Sequence, residues 1–276
     1  MRNQSVMQLS LQSVGLLNNG VKIPRLGLGV YQAPPGESTL RAVKYALKIG
    51  YRHIDTAWLY GNEIDVGRAI RESGIEREEI FITSKVWNND QGYQSTLAAC
   101  DRSLKLLGLP YVDLYLIHWP VEGRGKDTWK AMIQLLNEGK TRAIGVSNFE
   151  VFHLQDIFQN FDVIPSVNQV EFHPFLFQEK LLEFCKNSNI QLEAYSPLTR
   201  GQKLNHHILV GLAKKYGKSS AQILIRWNLQ HGLVVIPKSI HENRIRENIQ
   251  VFDFQIEEKD MKLLNSLNED LHTIFL

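Results

Sequence analysis

Short apolar or alternating runs recur eight times along the chain, at Arg25–Val30, Arg52–Thr56, Ile80–Val86, Val112–His118, Ala143–Ser147, Val167–Glu171, Gln191–Tyr195 and Val234–Pro237. Each is followed by a longer stretch with apolar residues at helical spacing: 37–49, 62–73, 91–107, 127–139, 149–159, 178–188, 206–230 and 241–249. The first period marks strands and the second marks helices. Strict alternation predicts a parallel sheet, and eight repeats let that sheet close into a (β/α)8 TIM barrel. Ahead of the first repeat, Val14–Leu17 and Val21–Ile23 flank Asn18-Asn19-Gly20. Asn-Gly tolerates the positive φ of a tight turn, so an N-terminal β-hairpin is expected, placed as a plug for the barrel floor. Residues 257–267 predict an extra C-terminal helix, and no linker or low-complexity tract divides residues 1–276 into more than one domain.

Composition adds exclusions. The 276 residues carry 31 Lys and Arg against 29 Asp and Glu, a balance with little pull toward nucleic acid or an anionic membrane. No apolar run has the length of a signal peptide or a membrane span, so a cytoplasmic protein is expected, as a monomer acting on small molecules. Cys100 and Cys185 fall in separate helical patterns and read as buried thiols. Two phosphate-binding look-alikes fail. Gly27-Leu28-Gly29-Val30-Tyr31-Gln32 lacks the third glycine and the following helix of a dinucleotide fingerprint, and Gly211–Ser219 has one spacer residue too many for a phosphate loop.

In a barrel of this kind, reactive groups collect at the C-terminal ends of the strands. There the sequence places Asp55, Lys85 and His118 on successive runs, with Tyr60 just beyond Asp55. Taken singly, these residues fit an ion pair, a core histidine and a loop aromatic. Together they make an acid. A phenol with a pKa of about 10 is a poor proton donor near neutrality, whereas an adjacent ammonium favours the phenolate and lowers that value. Asp55 would keep the lysine charged and aimed, and His118 would orient a substrate oxygen.

Three separated segments then carry a resemblance to the aldo-keto reductase family that runs through nearly the whole chain. Gly50-Tyr51-Arg52-His53-Ile54-Asp55-Thr56-Ala57 with Glu63 and Val66-Gly67 resembles the family's first motif. Arg142–Phe149 resembles the second, and Ile236-Pro237-Lys238-Ser239 with Arg244 and Glu247-Asn248 the third. Short bacterial members described as glyoxal, aldehyde or diketo-sugar acid reductases are the most similar. The resemblance implies NADPH-dependent reduction of aldehydes, α-ketoaldehydes and ketones, with Tyr60 as general acid and Asp55, Lys85 and His118 completing a catalytic tetrad. It implies that Ser147, Asn148 and Gln169 hold the nicotinamide carboxamide, that Tyr195 stacks on the nicotinamide, and that Ser196 and Leu198 follow it along the cofactor. At the adenine end, Lys238, Ser239, Arg244, Glu247 and Asn248 resemble the family's site, with Lys238 and Arg244 on the 2′-phosphate. Two cations beside a helix start independently suit a phosphate dianion.

Tyr31, Trp58, Trp87 and Trp119 follow strand ends and resemble the aromatic wall of the substrate pocket. Only Pro120–Lys126 separate Trp119 from the next helix, and the chain stops at Leu276, so an open, shallow pocket is expected. No metal is expected. A metal-dependent hydrolase could be drawn from His53, Asp55, Lys85, His118, Glu171 and His173, but Lys85 beside Tyr60 serves proton transfer better than metal binding. A non-catalytic NADPH-binding module is the other reading, against which the intact tetrad counts.

Overall fold

The computed structural model describes residues 9–274. The Asn-Gly turn joins β1 (Val14–Leu16) to β2 (Lys22–Pro24) as an antiparallel hairpin. Then come β3 (Leu28–Gly29), α1 (Glu37–Lys48), β4 (His53–Asp55), α2 (Glu63–Glu72), β5 (Phe81–Val86), α3 (Tyr93–Leu107), β6 (Val112–Ile117) and α4 (Gly125–Asn137). The second half continues with β7 (Thr141–Ser147), α5 (Val151–Asn160), β8 (Val167–Glu171), α6 (Glu179–Asn187), β9 (Gln191–Tyr195), α7 (His207–Tyr216), α8 (Ser220–Gln230), β10 (Val234–Val235), α9 (Glu242–Asn248) and α10 (Glu258–Asn265).

Strands β3 to β10 pair in chain order, all parallel. The ring closes where the first strand meets the last: Gly27 N donates to Val235 O, Val235 N to Arg25 O, and Gly29 N to Pro237 O. This is the expected (β/α)8 barrel, with its hairpin and its extra helix α10.

One predicted helix is corrected. Residues 206–230 form two helices rather than one, because Gly217 ends α7 in the left-handed conformation (φ +62°). Ser219 then starts α8 with a capping box, its hydroxyl accepting from Gln222 N while the Gln222 side chain accepts from Ser219 N.

Polarity changes along the barrel axis. Phe81, Leu114, Leu116, Ala143, Val167 and Val234 cluster with Leu17 and Ile23 of the hairpin at the floor. Asn18 ties that hairpin to the strand bottoms through Pro165 O and the Ser166 hydroxyl. Above this apolar layer the interior becomes polar, with His53, Thr83, Glu193 and Gln169 all buried. Burying such groups is costly unless they are paired, so their concentration in the barrel interior below the mouth marks a site that packing alone would not select.

Two motif glycines have steric reasons. A Cβ on Gly67 of α2 would fall 1.8 Å from Leu107 O at the end of α3, and one on Gly145 of β7 would fall 2.4 Å from Val167 O. The helix pair and the narrow barrel interior therefore require no side chain at these points.

Candidate active site

A cleft of about 770 Å³ opens over the C-terminal ends of the strands. At its base, the Lys85 ammonium donates to Asp55 Oδ1 and Oδ2, each at 2.8 Å, to Thr56 O at 2.9 Å and to the Tyr60 hydroxyl at 3.3 Å. Lys85 is fully buried and Asp55 nearly so. Parallel pairing of β4 with β5 brings them together, and a short 3-10 turn over Trp58–Tyr60 folds the phenol back above them.

The expected direction of the Tyr60 titration is corrected. Burial, and after it the negative charge of Asp55, hold the phenol well above its ordinary value of 10.0. The lysine charge is largely spent on Asp55 and does not offset this. Tyr60 is therefore a neutral hydrogen-bond donor in the ligand-free protein. His118 is neutral as well, because burial and then Lys85 push its imidazole well below 6.5. Its ring meets Tyr60 edge to face at 5.8 Å and Trp87 at 5.1 Å.

Around this base the next shell is already knitted together. Tyr195 Oη donates to Asn148 Oδ1 at 2.8 Å, and Asn148 Nδ2 donates to His118 O and to Ser147 Oγ. Ser147 Oγ donates to Gln169 O at 2.8 Å. Asn148 sits at φ +63°, a left-handed conformation that asparagine tolerates better than most residues. Gln169 Nε2 reaches both Asp55 Oδ2 at 2.8 Å and Glu193 Oε2 at 2.9 Å.

The far end of the cleft is lined by Ser239, Glu247 and Asn248, with exposed Lys238 and Arg244. Neither cation is in an ion pair among the described residues, and Asn248 Nδ2 is buried without a hydrogen-bond partner. Unpaired cations and an orphaned amide donor along one groove suit a ligand carrying phosphate and heterocyclic acceptors. Glu247 accepts from the Ser219 hydroxyl, which anchors it to the start of α8.

Of the residues expected on the aromatic wall, Tyr31, Trp87 and Trp119 line the cleft, as do Ser196 and Leu198. Trp58 does not. It lies outside, its ring 4.5 Å from the Arg102 guanidinium, because the 3-10 turn that faces Tyr60 inward turns Trp58, two residues earlier, the other way.

The sequence reading missed Leu59, Gln32, Arg200, Ile274 and Ser219 on the cleft wall, and Glu193 beneath it. The tail was expected to be cut down and to leave the pocket open; Thr273 is fastened to Glu171 by its backbone N–H and its hydroxyl, and Ile274 reaches the cleft. His173 stands 3.3 Å from the same carboxylate. No cluster of three or more His, Cys, Asp or Glu among the described residues is placed to hold a metal ion.

The sequence profile of the Aldo/keto reductase family matches residues 25–269. The chain belongs to the aldo/keto reductase family. This aldo/keto reductase is 53% identical over 264 residues to the glyoxal reductase of Bacillus subtilis, with 96% of each chain covered. It is 54% identical over 257 residues to a 9,11-endoperoxide prostaglandin H2 reductase of Trypanosoma cruzi, covering 92% of this chain and 91% of that one. Its fold is similar to the crystal structure of an aldo-keto reductase from a Medee basin deep-sea metagenome library, with TM-score 0.92, 49% identity, and 96% and 97% of the two chains covered. It is also similar to an aldo-keto reductase crystallised with NADPH, with TM-score 0.91, 33% identity and coverage of 97% and 91%. The protein is thus an oxidoreductase, and no helix among its described residues is long and apolar enough to cross a membrane.

Proposed function

We propose that the protein reduces aldehydes, α-ketoaldehydes and ketones to alcohols with NADPH, using Tyr60 as the general acid. The observation that carries this reading is one cleft with a Lys85–Asp55–Tyr60 cluster at its base and the unpaired cations Lys238 and Arg244 at its far end. NADPH, when bound, supplies the hydride. The 2′-phosphate falls to Lys238 and Arg244, a purine acceptor to Asn248 Nδ2, and the carboxamide to Ser147, Asn148 and Gln169, with Tyr195, Ser196 and Leu198 along the groove.

The chain's own chemistry is proton delivery. Tyr60, neutral and half-buried, donates its proton to the carbonyl oxygen as negative charge grows there, and Lys85 at 3.3 Å stabilises the tyrosinate left behind. Asp55 holds the lysine in place. Neutral His118 offers a ring N–H that orients the carbonyl. Tyr31, Trp87 and Trp119 wall the substrate and favour flat or apolar carbonyl compounds. The reading extends to a single-domain monomer acting on small molecules in the cytoplasm.

The test is NADPH consumption with a panel of small aldehydes, α-ketoaldehydes and ketones, for wild type and Tyr60→Phe. Turnover that requires both carbonyl and NADPH, and that collapses in the variant, is expected. Turnover of the variant within a few-fold of wild type would remove Tyr60 from the role.

A further inference from the structure

Beneath the acid cluster lies a second carboxyl group that the chemistry above does not use. Glu193 projects from β9 into the barrel interior and is fully buried. Its Oε2 accepts from Gln169 Nε2 at 2.9 Å, and the same nitrogen donates to Asp55 Oδ2 at 2.8 Å. Its Oε1 has no hydrogen-bond partner and stands 3.6 Å from His53 Nε2. The Asp55 carboxylate, ion-paired to Lys85, only accepts, so the Gln169 amide must turn its NH2 toward it, and the same nitrogen then reaches Glu193 Oε2. Both amide hydrogens of Gln169 are thereby used inside the barrel, and its carbonyl oxygen is the atom left for the cleft.

Resting on the proposed reductase reading, we propose that Glu193 is a positioning residue for this site. Its carboxyl group fixes the Gln169 amide with hydrogens inward and oxygen toward the cleft, and its charge state governs how readily Tyr60 gives up a proton. The groups around it fit this role. From β4 it faces Asp55 and neutral His53, and from β5 Lys85, while Gln169 of β8 is its hydrogen-bond donor and Val234 of β10 is apolar. The one nearby cation is already neutralised by Asp55, so a second negative charge here has no counter-ion of its own. Burial, and then Asp55, push the Glu193 carboxyl up to about 8. Below that pH it is a neutral acid. Above it, the added negative charge raises Tyr60 further and makes the phenol a weaker donor.

The experiment has two arms. Infrared spectra of the cofactor-free protein, titrated from about pH 6 to about pH 10, should show a carboxylic-acid carbonyl band that vanishes near pH 8 and is missing from Glu193→Gln. Glu63, also buried and raised, does not enter the difference between the two proteins. In the second arm, kcat of wild type should fall about tenfold or more above that pH, whereas Glu193→Gln should lack this limb. Glu193→Leu, which offers Gln169 no acceptor, should weaken NADPH binding, read by quenching of tryptophan fluorescence, about tenfold more than Glu193→Gln does. An unchanged infrared band in Glu193→Gln, or the same alkaline limb in both proteins, overturns the proposal. If Glu193→Leu does not fold, the glutamine variant decides alone. A wild type without carbonyl reductase activity overturns the reductase reading instead, and the infrared titration and NADPH affinities still decide the role of Glu193.

Discussion

The Lys85 ammonium, fully buried, stands 3.3 Å from the hydroxyl of half-buried Tyr60 and 5.0 Å from the centre of its ring. At that distance the lysine does little for the resting phenol, whose proton is held by burial and by Asp55. It does much for a tyrosinate, where a full charge would face a fully buried ammonium. Stabilisation realised only after proton transfer lowers the barrier rather than the ground state. Tyr60→Phe and Lys85→Met should therefore each lower kcat by roughly 100-fold or more. NADPH affinity, followed by tryptophan quenching, should stay within a few-fold of wild type. A Lys85→Met enzyme with a normal rate would show that the tyrosinate needs no cation.

Cofactor choice should rest on Arg244 and Lys238, the unpaired cations at the far end of the cleft. NADPH differs from NADH by one phosphate, and a charge-assisted hydrogen bond contributes about 1.5–3 kcal/mol. Arg244→Ala should accordingly weaken NADPH binding by roughly 10- to 100-fold and NADH binding much less. The preference should also shrink as salt rises. Equal losses for the two cofactors would leave Arg244 a structural residue of α9.

Gly67 offers a test of packing that does not involve the cleft. A methyl group there would overlap the Leu107 carbonyl at 1.8 Å, and backbone cannot step aside as a flexible side chain can. Gly67→Ala should destabilise the fold by at least the ~3 kcal/mol at the upper end of usual overpacking costs. Gly211, in the body of α7 with nothing within 4 Å, should respond oppositely to alanine, gaining roughly 0.5–1 kcal/mol from helix propensity. Thermal unfolding of the two variants side by side measures both signs.

His53 should set part of the acid limb of stability. Burial, and then Lys85, depress its imidazole from 6.5 to about 3. The folded ring stays neutral where the unfolded one takes up a proton. Its contribution is thus fully present above pH 6.5 and is lost as pH falls toward 3, on the order of a few kcal/mol. Urea unfolding at stepped pH should show this slope in wild type and a shallower one in His53→Asn. Equal slopes would mean that another group carries the acid sensitivity.

Much of this architecture was legible because two periods alternate eight times, and a parallel ring is the arrangement that buries all those apolar runs. The cluster at the base of the cleft was legible because Asp55, Lys85 and His118 are polar residues at the ends of apolar strands. What stayed hidden has particular causes. Helical spacing runs through Gly217-Lys218-Ser219 without a break, and only the Ser219–Gln222 capping pair announces the new helix. Trp58 is two residues from Tyr60, yet one turn of 3-10 helix sends them to opposite sides. Glu193 was passed over because a lone acid in Gln191-Leu192-Glu193-Ala194-Tyr195 reads as a solvent-facing position. In a closed ring, that face is the interior.

The hairpin at the floor has a consequence for turnover. With Leu17 and Ile23 packed under Phe81, Leu114 and Val234, the floor of the barrel is closed by apolar side chains among the described residues, and the way to Tyr60 is from the mouth. On the proposed reading, a tyrosinate formed in one cycle would be recharged through the opening that the alcohol occupies. On the proposed reading, emptying the vessel and rearming the acid would share one route, past Ile274 and the Thr273 strap that Glu171 holds in place.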